Sequence, residues 1–355
     1  MKKEKSFFPD IKNIPLDNWS DWRWQYKHRF HTMEQLATLI QHPQSASALY
    51  GKLIHAYPYC ITPYYLSLVA CDVEEDPIGK QCFPDLRELA YVSGELADPL
   101  AEEDHMPLEG LVHRYQDRCL AMVTNACVTY CRHCNRKRRW GNNAHAATKT
   151  ELQTMIGYVA QNQGIREVIV SGGDPLTLNE GVLDWFIGAL RSLPHVEVIR
   201  IGSRIPVVMP MRITKRLCNM LRRHRPLWFN TQFNHANEIT DDSARACAML
   251  LEAGIPISNQ SVLLKGVNDS YEAMQALLYG LQRIGVRPYY LFQGDAVAGT
   301  EHLRADMERG IDMMETLRNN ISGLCLPRYV LDTPGERGKV PLERVVFPAQ
   351  SGSNR

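Results

Sequence analysis

At 355 residues, with 40 basic against 39 acidic side chains and a net charge of +1, the chain can bury a large core. It carries no charge excess that would draw a nucleic acid or another polyanion. No apolar run reaches the roughly 18–20 residues that a membrane span needs, and the N-terminus (Met-Lys-Lys-Glu-Lys-Ser-Phe-Phe) lacks the apolar core of a signal peptide.

Residues 1–110 show no strand–helix alternation and read as an N-terminal, mostly helical region. Trp19, Trp22, Trp24 and Tyr26 form an aromatic cluster expected to anchor packing. Helical patterning follows over Met33–Ile40 and Ala46–His55, and the acidic, proline-bearing stretch Asp98–Pro107 reads as a surface connection. From about residue 118 short apolar runs alternate with amphipathic segments, which predicts βα units and a parallel sheet. Strands are expected at Cys119–Thr124, Glu167–Ser171, Val196–Ile201, Leu227–Phe233, Ile257–Leu264 and Pro288–Phe292. Helices are expected at Lys149–Asn162, Gly181–Ser192, Thr214–His224, Asp241–Ala253 and Tyr271–Ile284, with Thr214 and Thr240 or Asp241 as caps and Gly254 as a stop. Six strands with right-handed crossovers make an α/β fold, either an incomplete barrel or an open parallel sheet. Residues 111–295 form its core, and 296–355 a C-terminal segment that completes it.

In such folds the loops after the strand C-termini build the site. Cys127-Val-Thr-Tyr-Cys131-Arg-His-Cys134 follows the first strand. Thiolates are preferred ligands of iron–sulfur clusters, so three on one short loop can hold three irons of a [4Fe–4S] cube and leave the fourth open. A structural zinc site ordinarily needs four closed ligands, and three cysteines cannot pair among themselves. The other seven cysteines lie mostly in apolar surroundings and read as reduced core residues of a cytoplasmic protein.

Ser171-Gly172-Gly173-Asp174 follows the second strand. Paired glycines let backbone approach a ligand closely, and the carboxylate can accept from an ammonium group. Further polar motifs end the later strands: Ser203-Arg204, Asn234-His235 and Asp295, with Gln260 inside the fifth. Near the C-terminus, Lys339 stands in Asp332-Thr-Pro-Gly335-Glu-Arg-Gly338-Lys339, where glycines leave room for a bulky planar cofactor on a Schiff-base lysine. Arg114 and Arg118 could clamp a phosphate or simply be surface charge.

The cysteine loop resembles that of the radical S-adenosylmethionine (SAM) enzymes. Nearly the whole chain, from Trp19-Ser-Asp-Trp-Arg-Trp-Gln to Pro341, resembles the lysine 2,3-aminomutase family, through Leu111-Val-His-Arg-Tyr, Ile201-Gly-Ser-Arg204, Phe233-Asn-His-Ala-Asn-Glu-Ile-Thr240 and Gly266-Val-Asn-Asp269 among others. The resemblance implies a partial (β/α)6 barrel, a [4Fe–4S] cluster, SAM and pyridoxal 5′-phosphate (PLP), and migration of an amino group from the α- to the β-carbon of an amino acid. By the same resemblance Cys127, Cys131 and Cys134 ligate the cluster, and Gly172, Gly173, Asp174 and Gln260 position SAM. Lys339 forms the imine with PLP, with Arg114 and Arg118 near its phosphate. Arg136 pairs with the substrate carboxylate, and Asp295 and Asp332 receive the side-chain ammonium of lysine.

The chain departs from the family pattern at Glu336 and Arg337, Gln232, Phe292 and the Gly294-Asp295-Ala296 run, all around the substrate pocket. L-lysine is the expected substrate, with arginine second. A glutamate 2,3-aminomutase, the related enzyme that makes β-lysine for elongation factor P, and a non-catalytic iron–sulfur or SAM-binding protein are the further alternatives. One aspartate pairing with Arg304 or Arg337 would leave only the other for substrate. An external electron donor such as flavodoxin or ferredoxin and a homo-oligomer are expected, without nucleic acid, membrane or structural zinc.

Overall fold

The computed structural model describes residues 8–40, 46–141, 144–335 and 338–344. Among these residues nine strands form one sheet: β1 (Leu111–Tyr115), β2 (Arg118–Met122), β3 (Glu167–Ser171), β4 (Val198–Gly202), β5 (Leu227–Thr231), β6 (Ile257–Leu263), β7 (Arg287–Gln293), β8 (Arg328–Asp332) and β9 (Lys339–Pro341). Neighbours in the sheet are neighbours in the chain, so the order never reverses. Strands β2 to β8 are parallel, and each end is finished by an antiparallel hairpin. Right-handed crossovers that always step the same way put every helix on one face, and the sheet curls around the other. That decides for the incomplete barrel over the open, doubly wound sheet.

Among the described residues the two free edges share no ladder and meet through side chains instead. A Cβ on Gly338, just before β9, would stand 3.1 Å from the ring of Tyr115 in β1, and the φ of +64° there independently favours glycine. Arg114 of β1 reaches across to the β8–β9 turn, donating to the carbonyls of Thr333 and Gly335.

The six predicted strands are β2 to β7, and the five predicted crossover helices are present with ends shifted by no more than two residues. Thr214 and Thr240 cap their helices by accepting from Leu217 and Ser243 backbone amides, and Gly254 turns the chain with a φ of +74°. Strands β1, β8 and β9 and the helix Met307–Asn320 were not expected. Each of these strands carries charged residues and is only partly buried, so none shows a continuous apolar run.

One apolar core runs from Phe8 and Ile11 through the barrel to Tyr329, so the N-terminal helices pack as part of the same body. Of the expected aromatic anchors only Trp19 is buried. Trp22 lies under the guanidinium of Arg212 at 4.5 Å, and Trp24 stacks on His28. Of the seven other cysteines, six are buried as expected and Cys71 is exposed. Among the described residues no helix is long and apolar enough to cross a membrane.

Candidate active site

A cavity of about 660 Å³ opens at the C-terminal ends of the parallel strands, and the residues expected to hold the cluster, SAM, PLP and substrate all line it; of the further polar motifs, Asn234-His235 does not, Asn234 being buried against Gln81 and Glu238. The cysteine loop is gripped from below by the N-terminal helices. Arg29 Nη1 donates to the Cys127 carbonyl at 2.9 Å, Tyr130 N–H to the Cys60 carbonyl at 3.0 Å, and Arg132 N–H to the Gln81 carbonyl at 2.8 Å. Arg132 itself is fully buried, its guanidinium on Glu88 and on the carbonyls of Tyr57 and Pro58; Lys137 Nζ joins Glu88 at 2.7 Å. Burial works against the Glu88 carboxyl, but the two cations overcome it and hold it below the usual range.

Burial, and then the neighbouring cysteines and Asp174, push the Cys127 thiol far up. Burial and Cys131 bring Cys134 up to about 11. Thiolates in such a place call for a cationic partner. Three thiols on one short loop, each able to bind a different iron, fit a cluster in their donor chemistry. Arg204 Nη1 stands 2.7 Å from Cys131 Sγ, while its other nitrogens reach Glu238, Gln81, Tyr65 and the Gln232 carbonyl. Only the Ser-Arg pair after β4 hinted at this in the sequence.

The glycine pair is set against protein backbone. A Cβ on Gly172 would stand 2.2 Å from the Thr124 carbonyl oxygen, and one on Gly173 would stand 2.3 Å from that of Ala126. Gly173 and Asp174 N–H groups donate to those same carbonyls at 2.6 and 2.8 Å. The Asp174 carboxylate accepts from Ser203 Oγ and from the amides of Leu176 and Arg204, tying the β3 loop to the β4 loop. Burial still raises it to about 6. Gln260 faces the cavity from β6, at a register shift opposite β7.

Lys339 and Asp332 are direct partners across β8 and β9, with Nζ 3.1 Å from Oδ2. Arg114 Nη1 reaches the other Asp332 oxygen at 3.3 Å. Aromatic rings surround the lysine: Tyr115, Tyr290 and Phe292, all within about 6 Å. The buried Tyr115 hydroxyl lines the cavity and finds no partner among the described residues. Arg118 lies over the Tyr115 ring and pairs with Asp117. A planar, phosphate-bearing group therefore fits here, with a nearby amine, ring faces and the Arg118 guanidinium; Arg114, also expected at the phosphate, has its three guanidinium nitrogens on Gly335, Asp332 and Thr333.

Asp295 accepts from Asn135 Nδ2 at 3.2 Å. Burial raises its carboxyl to about 6, the Asn135 bond opposes this, and Asp332 and Glu102 add to it. Arg304 pairs with Glu301 rather than with either aspartate, while Arg337 lies outside the described residues. Asp332 does have a competing guanidinium, and it is Arg114. The stretch Asp98–Pro107 is not merely a surface connection. Leu100 and Glu102 are buried and line the cavity, with Glu102 in a two-pronged pair with Arg136. An acidic run that folds back over a basic one looks solvated in sequence, so nothing there distinguished Glu102 from its neighbours.

The Radical SAM superfamily model matches residues 122–278, from the end of β2 into the helix Tyr271–Arg283. Together with the barrel and the cysteine loop this makes the protein a radical SAM enzyme. The L-lysine 2,3-aminomutase of Clostridium subterminale is 44% identical over 94% of this chain and 80% of its own length. That of Acetoanaerobium sticklandii is 43% identical over 96% and 82%, and the glutamate 2,3-aminomutase of Clostridioides difficile 38% over 96% and 81%. The chain belongs to the lysine 2,3-aminomutase family, isomerases that work with a [4Fe–4S] cluster, SAM and PLP.

Proposed function

We propose that the enzyme moves the α-amino group of L-lysine to C3, giving β-lysine. The observation that carries the substrate is the placement of two carboxylates, Asp295 and Asp332, in the wall of the cavity that Lys339 and the cysteine loop share. Asp332 already has Lys339 and Arg114 beside it, whereas the Asp295 carboxyl is raised by burial, feels the charge of Asp332 and among the described residues makes no ion pair, so its ionised form calls for a cation. A lysine ammonium supplies that cation, whereas a glutamate side chain adds a third negative charge. The lysine-acting relatives support the same choice over arginine.

In this reading Cys127, Cys131 and Cys134 hold the cluster. Gly172, Gly173, Asp174 and Gln260 frame the SAM site, with the glycines keeping that frame tight against the cysteine loop. Lys339 anchors PLP, and Arg118 and Arg114 face its phosphate. Bound there, the cluster and SAM would supply a hydrogen-abstracting radical, and PLP the π-system that lets nitrogen migrate. Arg136 holds the substrate carboxylate while Asp295 and Asp332 hold the ε-ammonium, so C3 is fixed between two charged poles and the radical is kept from water. A one-electron donor of the flavodoxin or ferredoxin kind, a reducing cytoplasm and a homo-oligomeric assembly complete the proposal.

The test is anaerobic reconstitution with iron, sulfide, PLP, SAM and reductant, offering lysine, arginine, ornithine and glutamate separately and scoring β-amino products by mass spectrometry. Preferential turnover of lysine is expected. Preference for glutamate would overturn the reading.

A further inference from the structure

The segment Glu95–Glu103 forms a strap between two parts of the cavity wall. At one end it is stitched to the loop that carries Asp295: Leu96 N–H donates to the Ala296 carbonyl at 2.9 Å, the Ala298 N–H donates to the Leu96 carbonyl at 3.1 Å, and Glu95 accepts from the Gly299 amide. At the other end Glu102 takes Arg136 by Nε and Nη2, at 2.9 and 2.6 Å. Arg138 adds bonds to Asp98, Glu102 and Glu103. Between the two ends sits Ala101, whose φ of +50° makes it a non-glycine residue in the left-handed region among the described residues. Such a conformation is strained for a residue with a Cβ and persists where surrounding contacts impose it.

A guanidinium offers a carboxylate two forked faces, the Nε/Nη2 side and the Nη1/Nη2 end. Glu102 occupies the side. Among the described residues the Nη1 atom makes no hydrogen bond, and both residues line the cavity. Glu102 thus decides which face of Arg136 a ligand meets, and Asn135, next in the chain, holds Asp295 from the same short run.

We propose that Glu102 is a positioning residue that aims the Nη1/Nη2 end of Arg136 at the substrate carboxylate, with the strap fixing that end relative to the Asp295 pole. This rests on Arg136 being the carboxylate partner. The strap then reads substrate length, because neither pole can shift without breaking contacts at the other. Losing Glu102 frees Arg136 to swing, which weakens ligands that carry a carboxylate and spares those that do not.

The experiment uses the reconstituted holoenzyme and its Glu102→Gln, Glu102→Asp and Glu102→Ala variants, with Arg136→Ala alongside and thermal denaturation of each. The probes are lysine turnover and inhibition by 1,5-diaminopentane, which keeps both amines and lacks the carboxylate. Glu102→Ala should raise the KM for lysine at least tenfold, more than it lowers kcat, while the inhibition constant of the diamine changes less than threefold. Glu102→Gln, which keeps the shape, should recover part of the loss, and ornithine should gain on lysine in Glu102→Ala. An unchanged lysine KM in Glu102→Ala, or equal losses for lysine and the diamine, would overturn the positioning role. An unchanged lysine KM in Arg136→Ala would instead overturn the assignment of Arg136, and the inference with it.

Discussion

Asp332 and Lys339 face each other as a register pair of the last hairpin, carboxylate to ammonium at 3.1 Å. The two residues that we propose serve substrate and cofactor are therefore a single structural unit. Replacing Lys339 by Ala should abolish the visible absorbance of bound PLP. Borohydride reduction of the native enzyme followed by peptide mapping should place the pyridoxyl group on Lys339; finding it on another lysine would refute the assignment.

The Asp295 carboxyl, raised to about 6 by burial first and by its acidic neighbours second, gives a pH dependence with a definite sign. Only the ionised form holds an ammonium, so the KM for lysine should climb as pH falls through about 6. Because the folded-state value lies above the ordinary one, ionisation opposes folding, and stability should decline as pH rises from about 4 to above 6. Asp295→Asn should thus raise KM severely at neutral pH, remove this acid limb, and raise stability there by on the order of 1–3 kcal/mol. A KM profile in Asp295→Asn that keeps the same inflection would show that another group titrates.

Cys131 Sγ accepts from Arg204 at 2.7 Å. Hydrogen bonds and positive charge at cluster sulfurs raise the reduction potential. Arg204→Lys should therefore shift the cluster to a more negative potential in an EPR-monitored titration. Arg204→Ala should also destabilise the fold by about 3–5 kcal/mol, because Glu238 would be left as a buried, unpaired charge. A potential unchanged both in Arg204→Lys, which keeps the charge, and in Arg204→Gln, which removes it, would rule out electronic contact with the cluster.

Gly173→Ala touches no cysteine, yet its Cβ would stand 2.3 Å from the Ala126 carbonyl oxygen. The loop entering Cys127 would have to move. Reconstituted Gly173→Ala should hold less than half the iron of the native protein and melt at a lower temperature. Full iron content would mean that the cysteine loop tolerates displacement.

Much of this was legible in sequence because it depends on local spacing. The cysteine loop and the Gly172-Gly173-Asp174 turn each declare themselves within a dozen residues, the βα alternation over a few tens, and the cavity collects the residues expected to hold cluster, SAM, PLP and substrate. What was not legible depends on contacts far apart in the chain. Arg132 looks like a surface residue in its motif, but Glu88 and two carbonyls bury it completely. Glu102 became part of the site only through Arg136, more than thirty residues later. Asp174 was read as a ligand for an ammonium group, and its oxygens are largely engaged by Ser203 and two backbone amides.

The seam between β1 and β9 has a mechanical meaning. Every other neighbouring pair of strands is joined by a backbone ladder, but here the wall is closed by Arg114 and by the Tyr115 ring resting on Gly338. Among the described residues parting it costs side-chain contacts alone, so the wall can breathe there without unzipping a strand pair. Guests as broad as a pyridine ring with its phosphate then have a door beside the lysine proposed to receive them. Amide exchange at Lys339 and Val340 should run ahead of the parallel strands by orders of magnitude, marking that door in solution.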